Sequence, residues 1–288
     1  MARLTRFMSG VALALGGLVA YEYFSWQPRR LDGLYRGAVE GPQGGLGRPR
    51  LLLGHRGAAA EAPENTLTSF HAALAAGADG VELDVHRTRD GAVVVIHDDT
   101  VSAVAGQPGR VAEMTLAEIQ RLDAGSHFAP AFAGERIPTL GEALEAVGPQ
   151  TVVNIELKGV SARADGLERE VARIVREHRM EGRVIVSSFN PLRLIRLRRL
   201  APALPRAMLY APDMPIFVRD LWLLPFVHPD ALHPAHEMID AAFMAQARRW
   251  GVRVNAWTVD DPAEARRLVA LGVDGIITND PRKLREVV

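Results

Sequence analysis

From residue 51 to the C-terminus, apolar runs of strand length alternate with longer stretches of helical periodicity. The strand-like runs are Leu51–Gly54, Gly80–Val85, Val93–His97, Val152–Leu157, Val184–Phe189, Arg206–Tyr210, Ala231–His233, Val252–Val259 and Gly275–Thr278. Between them, Leu67–Ala76, Leu116–Leu122, Leu167–Glu177, Leu192–Leu200, Ile239–Trp250 and Pro262–Leu271 read as amphipathic helices. Repeated strand-then-helix units predict one α/β domain with a parallel sheet, and an eight-stranded barrel suits residues 51–288 better than two domains. Nine runs are one too many for such a barrel. The doubtful pair flanks Asp90-Gly91, because Asp-Gly between two short apolar runs reads as a hairpin turn.

The chain before this domain follows a different pattern. Phe7–Trp26 is apolar with one charge, Glu22, and its aromatics Tyr21, Tyr23, Phe24 and Trp26 gather at one end. About twenty such residues suffice to cross a bilayer as a helix, so residues 1–26 are expected to be a membrane anchor. A cleaved secretory signal is the alternative, placing the protein outside the cell or in the periplasm, although Leu18 three residues before Tyr21 makes a poor cleavage site. A soluble helix is a third reading. Residues 27–50, with Gly-Pro-Gln-Gly-Gly-Leu-Gly at their centre, are expected to be a Gly/Pro-rich linker. Basic flanks on both sides of the apolar run leave its orientation open.

Composition narrows the partners. The 34 basic and 34 acidic side chains cancel, but the first fifty residues hold seven Arg against Glu22, Asp32 and Glu40, a surplus of +4 that the remainder offsets at −4. A nucleic-acid partner is not expected for a domain without a basic surplus. With no Cys, disulfides and thiolate metal sites are excluded. Lys158 and Lys283 are the only lysines among the 34 basic residues, which singles out Lys158 in its strand.

Polar residues with chemical capacity fall at the carboxyl ends of the predicted strands, where a barrel of this kind places its active site. They include His55 and Arg56 after the first run, Glu82 and Asp84 in the second, His97 and Asp98 after the third, and Glu156 and Lys158 in the fourth. Glu82 and Asp84 are two residues apart on a strand and share a face, as do Glu156 and Lys158. Three converging carboxylates suit a hard divalent cation, Mg²⁺ or Ca²⁺; an ion-paired layer with Arg56 and Lys158 and no metal is the alternative. His55 and His97 are candidates for proton transfer, and Arg56 and Lys158 for charge on a phosphate ester. Pro63–Thr66 reads as a helix start with Asn65 or Thr66 as N-cap, and His86 as structural. The basic helix RLIRLRRL (193–200) and the interrupted apolar stretch Pro215–Val227 are each read as a barrel surface or as a lipid contact.

The order of motifs GHRG (54–57), PENT (63–66), ELDV (82–85), TRDG (88–91), HDDT (97–100), IELK (155–158), SSF (187–189), AWTVD (256–260) and ITNDP (277–281) resembles the glycerophosphodiester phosphodiesterases over about residue 51 to the C-terminus. Ser102–Val104 departs from the Arg-Thr-Thr-like run of many members. The resemblance implies an irregular TIM (β/α)8 barrel and divalent-metal-dependent hydrolysis of glycerophosphodiesters to glycerol 3-phosphate and an alcohol. It implies His55 and His97 as the acid and base, Glu82, Asp84 and Glu156 as metal ligands, and Arg56 and Lys158 as phosphate contacts. Phe189 and Trp257 would line the pocket for the glycerol or the leaving group. With the anchor, lysophospholipid cleavage in lysophospholipase D fashion is a second expectation. A non-catalytic, membrane-tethered phosphate-binding module is the reading from another class.

Overall fold

The computed structural model describes residues 17–29, 31–35 and 50–288. Nine strands form one sheet: β1 (Leu51–Gly54), β2 (Gly80–Arg87), β3 (Val93–Val95), β4 (Val152–Leu157), β5 (Val184–Ser188), β6 (Arg206–Tyr210), β7 (Ala231–Pro234), β8 (Arg253–Ala256) and β9 (Gly275–Thr278). Eight are parallel in the order β1-β9-β8-β7-β6-β5-β4-β2, and pairing of β1 with β2 closes them into a barrel. β3 is the ninth. It lies antiparallel on β2 outside the closed ring, turned back at Asp90-Gly91 with Gly91 at φ +93°. The eight-stranded expectation therefore holds, and the Asp-Gly hairpin accounts for the surplus run.

Helices cover the outside. Helix Leu67–Ala75 starts where Thr66 accepts a hydrogen bond from the Ser69 N–H, as expected for this N-cap. Helix Leu140–Val147, not foreseen from periodicity, is started by a capping box between Thr139 and Glu142. In RLIRLRRL the guanidinium of Arg193 is not solvated: it lies buried and pairs with Asp165 at 2.7 Å and Glu168 at 3.1 Å. Pro215–Val227 packs on the barrel through Val218, Leu224 and Val227, leaving Ile216 and Trp222 exposed.

The membrane helix expected over Phe7–Trp26 is not supported. Residues 17–25 are helical, which at 1.5 Å per residue spans about 14 Å against a bilayer core of about 30 Å. Among the described residues no helix is long and apolar enough to cross a membrane. Residues 7–16 lie outside the described residues. Nor is all of the expected linker free of the domain. Leu31, just before the short helix Asp32–Tyr35, and Leu34 within it are buried with Leu51, Leu53, Val152, Ile185, Ala207, Ala231 and Ile277. They close the amino end of the barrel, a burial that contributes about 1.5–3 kcal/mol per leucine.

Candidate active site

At the carboxyl end of β1 the chain turns sharply: Arg56 has φ +52° and Gly57 φ +88°. A Cβ at position 57 would collide with Ser69, so glycine is required by space as well as by dihedral angle. The turn aims the Arg56 N–H at Glu82 Oε2 (2.9 Å) and brings its guanidinium to Glu64 (2.8 Å) and Asp84 (3.4 Å). Asn65, also at positive φ, donates Nδ2–H to Asp84 Oδ2 and accepts the Asp84 N–H at Oδ1. The segment 63–66 is thus both a helix start and a brace on one acid.

Strand register assembles the acids. Asp84 stands beside Glu156 and Glu82 beside Asn154 across the β2–β4 pair. Carboxylate oxygens of Glu82, Asp84 and Glu156, all buried, lie within 4.8 Å of one another. Lys158 Nζ sits 3.0 Å from Asp84 and 2.9 Å from Glu156. Burial and the charges of Asp84 and Glu156 push Glu82 well above the usual carboxylate range. Burial and Asp84 likewise raise Glu156 to about 7, although Lys158 opposes them. Burial also acts to raise Asp84, but Lys158 and Arg56 outweigh it and hold this carboxyl well below its ordinary value. Two acids that resist ionisation beside one that does not make a cluster short of positive charge. Its hard oxygen donors therefore fit a divalent cation, whose charge would hold all three ionised.

The two histidines are anchored differently. His55 Nδ1 is 2.7 Å from Asn279 Oδ1, while Asn279 gives its Nδ2–H to Asp260 Oδ2 at 2.7 Å. A carboxylate only accepts, so Asp260 fixes the amide, and the amide oxygen requires a proton on His55 Nδ1. His55 Nε2 is then the lone-pair nitrogen, and burial with the Arg56 charge lowers the histidine's pKa. His97 Nδ1 instead meets the Asp98 carboxylate at 2.8 Å. His86 is not among the clustered acids; its Nε2 lies 3.1 Å from the His97 carbonyl oxygen and braces that loop.

Phe189 and Trp257 meet edge to face at 5.3 Å, half-buried on the opposite side of the mouth, with Trp257 Nε1–H donating to the His233 carbonyl at 2.8 Å. Below this level the barrel interior is polar, a feature the sequence reading missed. His233, fully buried and lowered to about 3 by that burial, accepts at Nε2 from Asn255 Nδ2 at 2.9 Å. The buried side-chain polar atoms of Asn154 and Ser187 have no protein partner among the described residues. Asp260 and Asn279 were likewise given no role by the sequence, which showed Asn279 only as a letter in a motif.

Residues 55–283 match the glycerophosphoryl diester phosphodiesterase family. The chain is 40% identical over 239 residues to a glycerophosphodiester phosphodiesterase of Caldanaerobacter subterraneus subsp. tengcongensis, covering 83% of this chain and 97% of that protein. A glycerophosphodiester phosphodiesterase of Bacillus altitudinis is 33% identical over 82% of this chain and 98% of its own length. Among solved structures, a phosphodiesterase of Oleispira antarctica in complex with the product sn-glycerol-3-phosphate superposes with a TM-score of 0.73 at 30% identity, over 82% of this chain and 96% of that one. A glycerophosphodiester phosphodiesterase of Agrobacterium tumefaciens superposes with a TM-score of 0.70 at 30% identity, over 82% and 99%.

Proposed function

The chain belongs to the glycerophosphoryl diester phosphodiesterase family and is a phosphoric diester hydrolase, and from that premise we propose that it cleaves glycerophosphodiesters to glycerol 3-phosphate and an alcohol, with His55 as base and His97 as acid. The observation that carries this reading is the buried triad Glu82, Asp84 and Glu156, flanked by Arg56 and Lys158 at the carboxyl mouth of the barrel. The product held by the Oleispira relative supports the substrate class.

The triad would hold Mg²⁺ or Ca²⁺, which supplies positive charge to polarise a phosphoryl oxygen. Arg56 and Lys158 stabilise the negative charge that grows on the phosphoryl group as the attacking oxygen closes. His55, whose Nδ1 proton is held by Asn279 and whose burial favours the neutral ring, takes at Nε2 the proton of the attacking water, or of the neighbouring glycerol hydroxyl with water then opening the cyclic phosphate. His97, oriented by Asp98 at Nδ1, gives a proton from Nε2 to the leaving alcohol oxygen. Phe189 and Trp257 offer an apolar wall to the carbon skeleton of glycerol or of the leaving group. The enzyme is placed at a membrane surface through its N-terminal apolar segment, with a secreted or periplasmic form as the alternative.

Glycerol 3-phosphate release from glycerophosphocholine, abolished by EDTA and restored by Mg²⁺ or Ca²⁺, is the expected result of the direct assay. Silence with both ions would overturn the proposal. Ion binding should also depend on pH in a set direction. Because Glu156 is raised in the folded state to about 7 from an ordinary 4.5, the folded protein binds more protons than the unfolded chain between these values. The metal-free protein therefore loses stability from this group as pH rises from about 4.5 to 7, and the ion offsets that loss by displacing the proton. Thermal unfolding should show a larger ion-induced increase in Tm at pH 7.5 than at pH 5; equal increases would remove Glu156 from the site.

Asn279→Ala tests the histidine assignment. The variant should lower kcat by about 10- to 100-fold through a mispositioned imidazole, with KM little changed. Since the Asn279 contact raises the His55 pKa, its loss should also move the acid limb of the pH profile downward. A profile unchanged in shape would leave Asn279 a structural residue.

A further inference from the structure

Among the described residues, the contacts that fix the N-terminal segment lie at one end of the barrel. Glu22 accepts from Arg198 at 3.0 and 3.3 Å and pairs with His228 at 3.1 Å. Trp26 is buried, tilted against Trp250 at 6.2 Å, and donates Nε1–H to the Pro229 carbonyl at 3.0 Å. The Arg29 N–H donates to Asp230 at 2.9 Å, and its guanidinium reaches the carbonyls of Ala203 and Pro202. Arg198 and Trp250 stand in the last turns of helices Pro191–Leu200 and Ala241–Trp250, and the other partners immediately precede β6 and β7. This is the amino end of the strands, and the acidic triad and both histidines are at the opposite end.

The helix held there turns apolar side chains outward. Phe24 is 77% and Tyr21 69% exposed, and Leu18, Val19 and Tyr23 are exposed beside them. The sequence running back from it, Phe7–Gly16, contains no charged residue. Next to the two clamp points, Arg199 and Arg249 are exposed and have no acidic partner among the described residues. Aromatic and aliphatic side chains with unpaired guanidinium groups alongside match the interface of a bilayer with anionic headgroups.

We propose that residues 17–26 form a lipid-facing stem, clamped to the amino end of the barrel, that rests on an anionic bilayer and turns the catalytic mouth away from it. Resting on the diesterase reading above, this makes the substrate a water-soluble glycerophosphodiester drawn from the aqueous phase, and not a lysophospholipid of the membrane on which the enzyme sits. The clamp matters because a free tether would let the mouth reach the surface.

The chain has no cysteine, so single-cysteine variants take one fluorophore at a chosen place. Phe24→Cys reports on the stem. Val160→Cys reports on the mouth, since Val160 is 98% exposed just beyond the carboxyl end of β4. The full chain is added to vesicles of phosphatidylcholine and phosphatidylserine carrying nitroxide lipids. Expected is loss of emission at position 24 with none at position 160, and glycerophosphocholine turnover equal with and without vesicles. Glu22→Lys combined with Trp26→Ala, which sets a like charge against Arg198 and removes the indole from Trp250 and Pro229, should free the stem from the barrel and bring quenching to position 160 while position 24 stays quenched. Quenching at both positions in the unmodified clamp overturns the orientation, as does protection at 160 that survives the double substitution. Quenching at neither overturns the lipid surface; self-association in sedimentation would then assign the apolar face to a second copy. An intact quenching pattern without diester turnover would overturn the proposed function, and with it the substrate part alone.

Discussion

His97→Ala keeps its fold and loses about 10²- to 10⁴-fold in turnover of glycerophosphocholine, the range expected when a positioned proton donor is removed. The side chain is only half-buried, with Nδ1 on Asp98 and the backbone carbonyl on His86, so truncation opens no core cavity. The decisive comparison is with a glycerol phosphodiester whose leaving group is a nitrophenol. Such a group departs without needing a proton, so the His97→Ala loss should shrink on it. His55→Ala should lose as much on both substrates, because the attacking hydroxyl must give up its proton whatever leaves. Equal losses for His97→Ala on the two substrates would take the acid role away from it, and a rescue of His55→Ala would exchange the two assignments.

Lys158→Met is the second large effect, and it falls on stability as well as rate. The methionine keeps the lysine's chain as far as Cε while removing the ammonium held 3.0 Å from Asp84 and 2.9 Å from Glu156. Asp84 and Glu156 are then left with Arg56 as the nearby cation, and removing one partner from a buried ion pair costs about 3–5 kcal/mol. Urea unfolding in EDTA should show that loss. Added Mg²⁺ or Ca²⁺ should recover part of it, since either ion returns positive charge to the same oxygens. Turnover should fall on the order of 10²- to 10³-fold even with the ion restored, because charge on the phosphoryl group loses one of its two side-chain cations. A variant as stable as the parent in EDTA would mean that the ammonium is not what keeps Asp84 ionised.

The acids were legible because they obey the simplest periodicity there is: two residues apart on a strand means one face, and the β2–β4 register then sets Asp84 beside Glu156. The Asp90-Gly91 hairpin was legible for a local reason too, the positive φ that glycine supplies. What failed to show was non-local. Asn279 meets His55 across 224 residues of chain, and nothing in its neighbourhood marks it as the partner of a ring nitrogen. Asn154, Ser187 and His233 occupy inward positions of strands that are buried on both faces, and such strands carry no alternation to separate inside from outside. Helix Leu140–Val147 is barely two turns long, and its one clear signal was the Thr139–Glu142 cap. Leu31 and Leu34 are two apolar residues in a Gly- and Pro-rich context, too sparse for any periodicity to reveal that they close the barrel.

The contacts of Trp26, Leu31 and Leu34 impose an order on synthesis. These residues leave the ribosome early, yet the groups that receive them belong to chain made much later: the Pro229 carbonyl lies 203 residues after Trp26, and Ala231 lines the seat of both leucines. At roughly 5–20 residues per second, the stem waits on the order of 10–40 s for its seat. The first segment made is among the last to be docked, and during that interval its apolar side chains are available to whatever meets the nascent chain.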